Sequence, residues 1–351
     1  MKIDVYAFSR NGVLLSGKIK HGLAVDEIEV FVPEKYSLLK GGLNAISNLH
    51  QSVRRSFETK DAVVFVSAAG IAVRAIAPFV KNKIKDPAVI CMDEKGKNVI
   101  SLLSGHMGGA NKLSKKIAII TSGQAIITTA TDISGKISVD EWAADNNMAI
   151  INMKDAKLFA AEILENKTAG LTSDFPVIGV VPEEVDPYNK KNYETGICIS
   201  LDENKKPYTN TLNLIPRIVS VGVGCRKGTN FQTILKSIKE VLMENDISCF
   251  AVKSINSIDL KKNEEGIIKT AEFLNVPFYT YSKSQLNTLE GNYTESSFVK
   301  KIAGVDSVCE RSASMGSTSK KLIINKTIKN SVTVAACLHD YNVDFNNRLE
   351  Q

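Results

Sequence analysis

The sequence predicts an α/β protein in three parts: an N-terminal parallel-sheet α/β domain, a small α/β middle domain and a C-terminal α/β domain. Three observations predict it. Short β-prone apolar runs alternate with helically spaced ones over the first third, the alternation loosens in the middle, and it restarts near Arg217. Such alternation is the pattern of a parallel sheet covered on both faces. At 351 residues the chain is also long for a single core, and chains of this size divide into domains.

Taken in order, residues 3–8 read as a first strand, Ser9 as the N-cap of a helix, and residues 29–32 as a second strand. Leu43, Ile46, Leu49, Val53 and Phe57 have helical spacing, which predicts a helix over 43–57. Strands are expected at 61–66, 88–91, 99–103 and 125–129, and helices at 70–80 and 110–120. In the middle, helices are expected at 139–146 and 155–166, with strands at 148–151, 177–181 and 196–201. The Pro-, Asn- and Lys-rich stretch 182–208 reads as irregular, ending in a linker near 204–212. The last third predicts strands at 218–223, 249–252, 277–281, 321–325 and 331–337. Its helices fall after residue 230, at 264–274, at 296–302 and at 307–314. The expected domains are 1–130, 131–213 and 214–341, followed by a polar tail, 342–351.

Composition narrows the function. Net charge is +6, unevenly spread: residues 1–135 carry 18 basic and 11 acidic side chains, 136–215 carry 8 and 13, and 216–351 carry 18 and 14. Two positive ends suit an anionic small molecule. No arginine-rich helix or basic stretch interleaved with aromatics points to nucleic acid. No apolar run approaches the roughly 18 residues of a membrane span, and the N-terminus lacks a signal peptide's apolar stretch. Cys91, Cys198, Cys225, Cys249, Cys309 and Cys337 are scattered without a CxxC pair, which implies free thiols in a reducing cytoplasm rather than a disulfide framework or zinc site.

Two glycine-bearing turns dominate the first third, around Ser67-Ala68-Ala69-Gly70 and Ser104-Gly105-His106-Met107-Gly108-Gly109-Ala110-Asn111. His106 is the candidate general base, because an imidazole titrates near neutrality; the competing role is a backbone-bonded loop histidine. Ser104 is a candidate nucleophile, although the segment is not a G-x-S-x-G elbow, and a turn residue otherwise. Gly105, Gly108, Gly109 and Asn111 open a helix whose free N–H groups favour anions, or they serve close packing. Gly70 and Arg74 offer a further turn and a guanidinium for a carboxylate. Lys81, Lys83 and Lys85 read as a solvated run. A later turn, Gly222-x-Gly224-x-Arg226-Lys227-Gly228-Thr229, departs from dinucleotide spacing, and no acidic residue is evident at the end of the next strand. Gly224, Arg226, Lys227 and Thr229 remain candidate anion contacts. The tips near 67–74, 104–111 and 224–229 are expected to share one cleft.

These segments together resemble the CbiG family, the cobalt-precorrin-5A hydrolases of anaerobic cobalamin biosynthesis. The resemblance rests on residues 69–78, 86–89, 99–111, 221–229, 258–266 and 304–310, and spans about 1–338 with the middle weakest. It implies a hydrolase that opens the δ-lactone of a ring-contracted cobalt tetrapyrrole, releases acetaldehyde and yields cobalt-precorrin-5B. It further implies that cobalt arrives with the substrate, so that the protein carries no cofactor or metal site. The implied partners are the cobalt-corrinoid and, in transient contacts, other enzymes of the pathway, with neither nucleic acid nor membrane. Two rivals stand beside it: a non-catalytic corrinoid carrier, and a nucleotide-dependent enzyme built on the glycine turns.

Overall fold

The computed structural model describes residues 1–23, 27–39, 41–82, 85–105, 108–129, 135–165, 167–295 and 303–346. The expected helix at 296–302 lies outside them. Two compact units emerge, Met1–Trp142 and Ala143–Asn346.

The first unit is built on a seven-stranded sheet. Its strands are β1 (Lys2–Ala7), β2 (Glu27–Val32), β3 (Leu43–Ala45), β4 (Ala62–Val66), β5 (Ala88–Met92), β6 (Asn98–Leu103) and β7 (Gln124–Ile126), ordered β3-β2-β1-β4-β5-β6-β7. β1, β4 and β5 are near-continuous apolar runs because both faces of the sheet are covered. Helices α1 (Arg10–Gly22) and α4 (Ala110–Thr121) pack on one face, against Ile3, Val5, Val64 and Ile90. Helices α2 (Leu49–Thr59) and α3 (Ala69–Ile76) cover the other, where Tyr6 stacks between Phe31 and Phe65. As expected, the Ser9 side chain accepts from the Gly12 N–H at the start of α1.

Two expectations for this unit are corrected. The helix over 43–57 starts only at Leu49, where Asn48 caps it, and residues 43–45 form an edge strand parallel to β2. The sheet is also not wholly parallel: β6 pairs antiparallel with β5, Met92 facing Val99 and Val89 facing Leu103, while β7 runs parallel to β6.

The second unit holds the middle and last thirds. One five-stranded sheet has the order β11-β9-β12-β13-β8, from β8 (Met148–Ile150), β9 (Ala169–Ser173), β11 (Val185–Asp186), β12 (Thr195–Ile199) and β13 (Asn210–Pro216). The expected linker at 204–212 therefore gives way to a buried strand, β13, flanked by β12 and β8. The strand expected at 177–181 shrinks to β10 (Val177–Ile178), and β9 replaces it in the sheet. β10 pairs with β19 (Val343–Asp344), and Val343 and Phe345 are fully buried, so residues 343–346 are not a polar tail.

A second five-stranded sheet, β16-β15-β14-β18-β17, comprises β14 (Val219–Gly224), β15 (Val252–Ile258), β16 (Phe278–Tyr281), β17 (Lys321–Lys329) and β18 (Val332–Leu338). The strand expected at 249–252 is a 3₁₀ turn over Cys249–Ala251 leading into β15. Before them come α5 (Val139–Asp145) and α6 (Met153–Leu164). The sheet itself carries α7 (Phe231–Met243), α8 (Glu265–Leu274), α9 (Lys283–Asn287) and α10 (Val308–Met315). No helix among the described residues is long and apolar enough to cross a membrane.

One buried charge cluster pins the first unit. Lys60, its side chain 3% exposed, lies 3.3 Å from Asp4, 2.7 Å from Glu27 and 2.6 Å from Glu29. The Ser56 hydroxyl donates to Asp4 and is itself bonded to the Tyr6 hydroxyl. Burial drives the Asp4 carboxyl above the ordinary range even though Ser56 and Lys60 oppose it. Removing the ammonium strands a buried carboxylate. Lys60→Ala is therefore expected to lose about 3–5 kcal/mol of stability, to be read from urea unfolding midpoints against the parent.

Candidate functional site

The turn after β6 is held from several sides. Ser104 has φ +57°, a conformation uncommon for a residue with a Cβ, and its hydroxyl donates to the Asp86 carbonyl at 3.0 Å. The Asp86 carboxylate in turn accepts from the Lys81 N–H at 2.9 and 3.1 Å. The turn then folds back on the start of α4, with the Ala110 N–H reaching the Ser104 carbonyl and the Asn111 N–H the Gly105 carbonyl. Gly108 is required by space, since a Cβ there would lie 2.4 Å from the Ser104 Cβ. Gly109, at φ +80°, is required by conformation.

These bonds redefine the expected roles. Ser104 is 9% exposed and its hydroxyl is engaged by the Asp86 carbonyl, the geometry of the turn residue that was the alternative to a nucleophile. Asn111 is 1% exposed: its Oδ1 accepts from Ser101 and its Nδ2 donates to Thr129, so it ties β6 and the segment after β7 to α4. His106 lies outside the described residues, as do Met107 and Lys83.

The reversal of β6 also separates the two glycine turns. Ser104 sits beside Asp86, at the amino end of β5, whereas the Ser67 N–H bonds the carbonyl of Met92, at its carboxyl end. The five residues of β5 thus stand between the turns, a separation of roughly 15 Å at the strand rise of about 3.3 Å per residue. The expected common cleft for 67–74 and 104–111 is corrected accordingly. Arg74 is exposed and its guanidinium turns back to the Gly70 carbonyl at 3.2 Å, within α3.

The carboxyl edge shows what sequence reasoning missed. Strand order reverses between β1 and β4, the kind of switch point where open α/β sheets bind ligands. The β1–α1 turn, Ser9 to Gly12, flanks it, and the Ser9 hydroxyl there donates to the Glu94 carboxylate. The Ser9 cap was a visible signal, but the adjacency of β1 and β4 was not.

In the second unit, the turn after β14 exposes Arg226 and Lys227. The Thr229 hydroxyl donates to the Arg226 carbonyl at 2.8 Å. Gly222 serves packing, because a Cβ there would meet the Cys309 carbonyl of α10 at 1.8 Å. β15 runs to Ile258, so an acidic residue, Asp259, does follow it, contrary to expectation. A pyrophosphate is disfavoured for another reason: the Gly228 N–H already donates to Glu264 at 2.7 Å, which puts a carboxylate where a phosphate would sit. Burial pushes the pKa of Glu264 up, but Lys261 at 3.0 Å and the Gly228 amide outweigh it and hold the carboxyl below the ordinary range.

Among the described residues, no group of three His, Cys, Asp or Glu side chains is placed to hold a metal ion. The six cysteines are free thiols, and burial pushes Cys198 up to about 11. The molecule is thus a mixed α/β protein with cationic glycine turns, a class suited to binding a small polyanion.

The chain belongs to the CbiG family. Family models described as cobalamin synthesis G N-terminal, cobalamin biosynthesis central region and cobalamin synthesis G C-terminus match residues 51–132, 137–216 and 219–337. A cobalt-precorrin-5A hydrolase from Salmonella typhimurium is 32% identical over 318 residues, 87% of this chain and 89% of that protein. One from Priestia megaterium is 28% identical over 96% of this chain and 95% of its own. A solved structure of a cobalamin biosynthesis protein G homolog from Sulfolobus solfataricus covers 97% of each chain at 24% identity, with a TM-score of 0.41.

The Glu264 contact gives a pH-dependent expectation. A carboxyl whose pKa falls on folding stabilises above its unfolded pKa and loses that contribution as pH drops through the folded one. Glu264→Gln should cost about 1–3 kcal/mol at pH 7. The gap from the parent should narrow steadily below the ordinary carboxylate range, as followed by thermal unfolding across pH.

Proposed function

We propose that this chain hydrolyses the δ-lactone of cobalt-precorrin-5A, releasing acetaldehyde and giving cobalt-precorrin-5B. The observation that carries this is the agreement along nearly the whole chain with hydrolases of that name. Water adds to the lactone carbonyl, the ring C–O bond breaks, and the freed alkoxide collapses to the aldehyde. The carbon–carbon bond to the macrocycle breaks in that collapse. Its electron pair stays with the macrocycle and is protonated there, so no redox partner is consumed. Cobalt enters as part of the substrate, and the protein is proposed to need no cofactor of its own.

His106 takes the proton of the attacking water. Amide N–H groups around Gly105–Gly109 are proposed to stabilise the developing oxyanion, each worth roughly 3–4 kcal/mol in hydrolases. Ser104 and Asn111 are positioning residues that shape this turn through Asp86, Ser101 and Thr129. Their inward bonds favour direct attack by water over an acyl-enzyme on Ser104. Arg226 and Lys227, on a turn shaped by Gly224 and Thr229, are proposed to hold peripheral carboxylates. Gly70 and Arg74 form a separate anion contact at the other edge of the first sheet. The reaction is proposed to run in the cytoplasm, with the product passed on through transient contacts with later pathway enzymes.

Acetaldehyde release from cobalt-precorrin-5A, followed with a coupled dehydrogenase, tests the proposal. A carrier would bind the macrocycle and release none. His106→Ala should slow release by about 10²–10⁴-fold. Ser104→Ala should retain kcat within a few-fold and lose about 1 kcal/mol of stability. A loss of kcat as large as that of His106→Ala would restore the serine as nucleophile.

A further inference from the structure

Beside the turn after β6, the end of α1 and the outer face of α4 enclose a groove of about 390 Å³, within the range of small-molecule sites. Gly22 and Leu23 form one wall. Gly109, Lys112, Lys116 and Ile119 form the other. Gly109 belongs to the turn assigned to the chemistry above, so the groove opens onto that turn. Lys112 and Lys116 stand one helical turn apart and therefore project from the same face of α4. Among the described residues Lys116, which is exposed, has no ion-pair partner, and no described residue of the lining is acidic. Ile119 is 80% exposed, a large apolar side chain left open at the rim. Lys20, in the last turn of α1, adds positive charge at the same end.

We infer that this groove seats one flank of the corrinoid macrocycle, with Lys116 paired to a peripheral carboxylate and Ile119 against the ring. The inference rests on the proposed hydrolase reading and adds the seat of its substrate. Two demands are met together in the groove. A tetrapyrrole needs apolar surface for its ring and cations for its periphery, and α4 supplies both within one face. Charge decides between occupants: a purely apolar partner has no use for the lysines, and a free inorganic anion has none for Leu23 and Ile119. The adjacent turn then meets the macrocycle at its edge, where the lactone lies.

The test uses the full chain and dicyanocobyrinic acid, a corrin with free side-chain carboxylates, alongside its fully esterified form. Binding is read from the shift of the corrin absorption bands. The parent should bind the acid more tightly than the ester. Lys116→Glu and Ile119→Asp should each weaken acid binding by about 10-fold or more, and both should raise KM for acetaldehyde release. Lys236→Glu, the same charge change on α7 of the second unit, should alter neither. Unchanged affinity in both groove variants, or no binding by the parent, overturns the inference. So does a drop in oligomeric state for Ile119→Asp with acid affinity intact, which would assign the groove to a second copy. Acid binding that follows this pattern in a protein releasing no acetaldehyde would remove the hydrolase reading and leave the groove as a corrinoid site.

Discussion

Strand β6 runs against β5, and this reversal of pairing governs where chemistry can occur in the first unit. In an all-parallel sheet, every strand-to-helix turn gathers on one edge. Here Val89 faces Leu103, and the turn after β6 emerges beside Asp86 instead of beside Ser67. β7 follows β6 in parallel, which brings Thr129 into reach of Asn111. The β6–α4–β7 segment therefore has its own working edge. The remaining strands keep theirs at the switch point between β1 and β4.

Internal carboxylates restrain the other turns. Glu94 accepts from Ser9 at the start of α1, and Glu264 accepts from Gly228 after β14. Each supplies the negative charge that an open helix start or glycine turn would otherwise draw from solution. The turn between β6 and α4 is satisfied differently, by carbonyls of its own backbone at Ser104 and Gly105. Carbonyls carry no net charge, so this turn keeps its attraction for an anion while the other two are partly neutralised.

What could be read from the sequence was local. The Ser9 cap, the apolar runs of β1, β4 and β5 and the helix from Phe231 depend on neighbours within a few residues, and they appear where expected. The direction of β6 depends on which strand it meets, and no residue within it records that choice. Leu43 matched a helical period by coincidence, and the edge of β2 claimed Leu43–Ala45 as a strand. β13 was hidden by its polar content: Asn210 and Thr211 read as linker, yet Thr211 is buried and donates to the Tyr208 carbonyl. The candidate turns were visible because glycine clusters are conspicuous. The inward hydrogen bonds of Ser104 and Asn111 were not, since both partners lie at least ten residues away.

The short strand β19 has a practical corollary for anyone handling this protein. The C-terminal family model stops at residue 337, and a shortened clone ending there would look well chosen. It would lack the pairing partner of Val177 and Ile178, the buried ring of Phe345, and the Asp344 backbone that holds Asn146. Such a clone would leave β10 without its pairing partner, an unpaired edge that invites aggregation during purification. Affinity tags and fusion joints belong beyond residue 346.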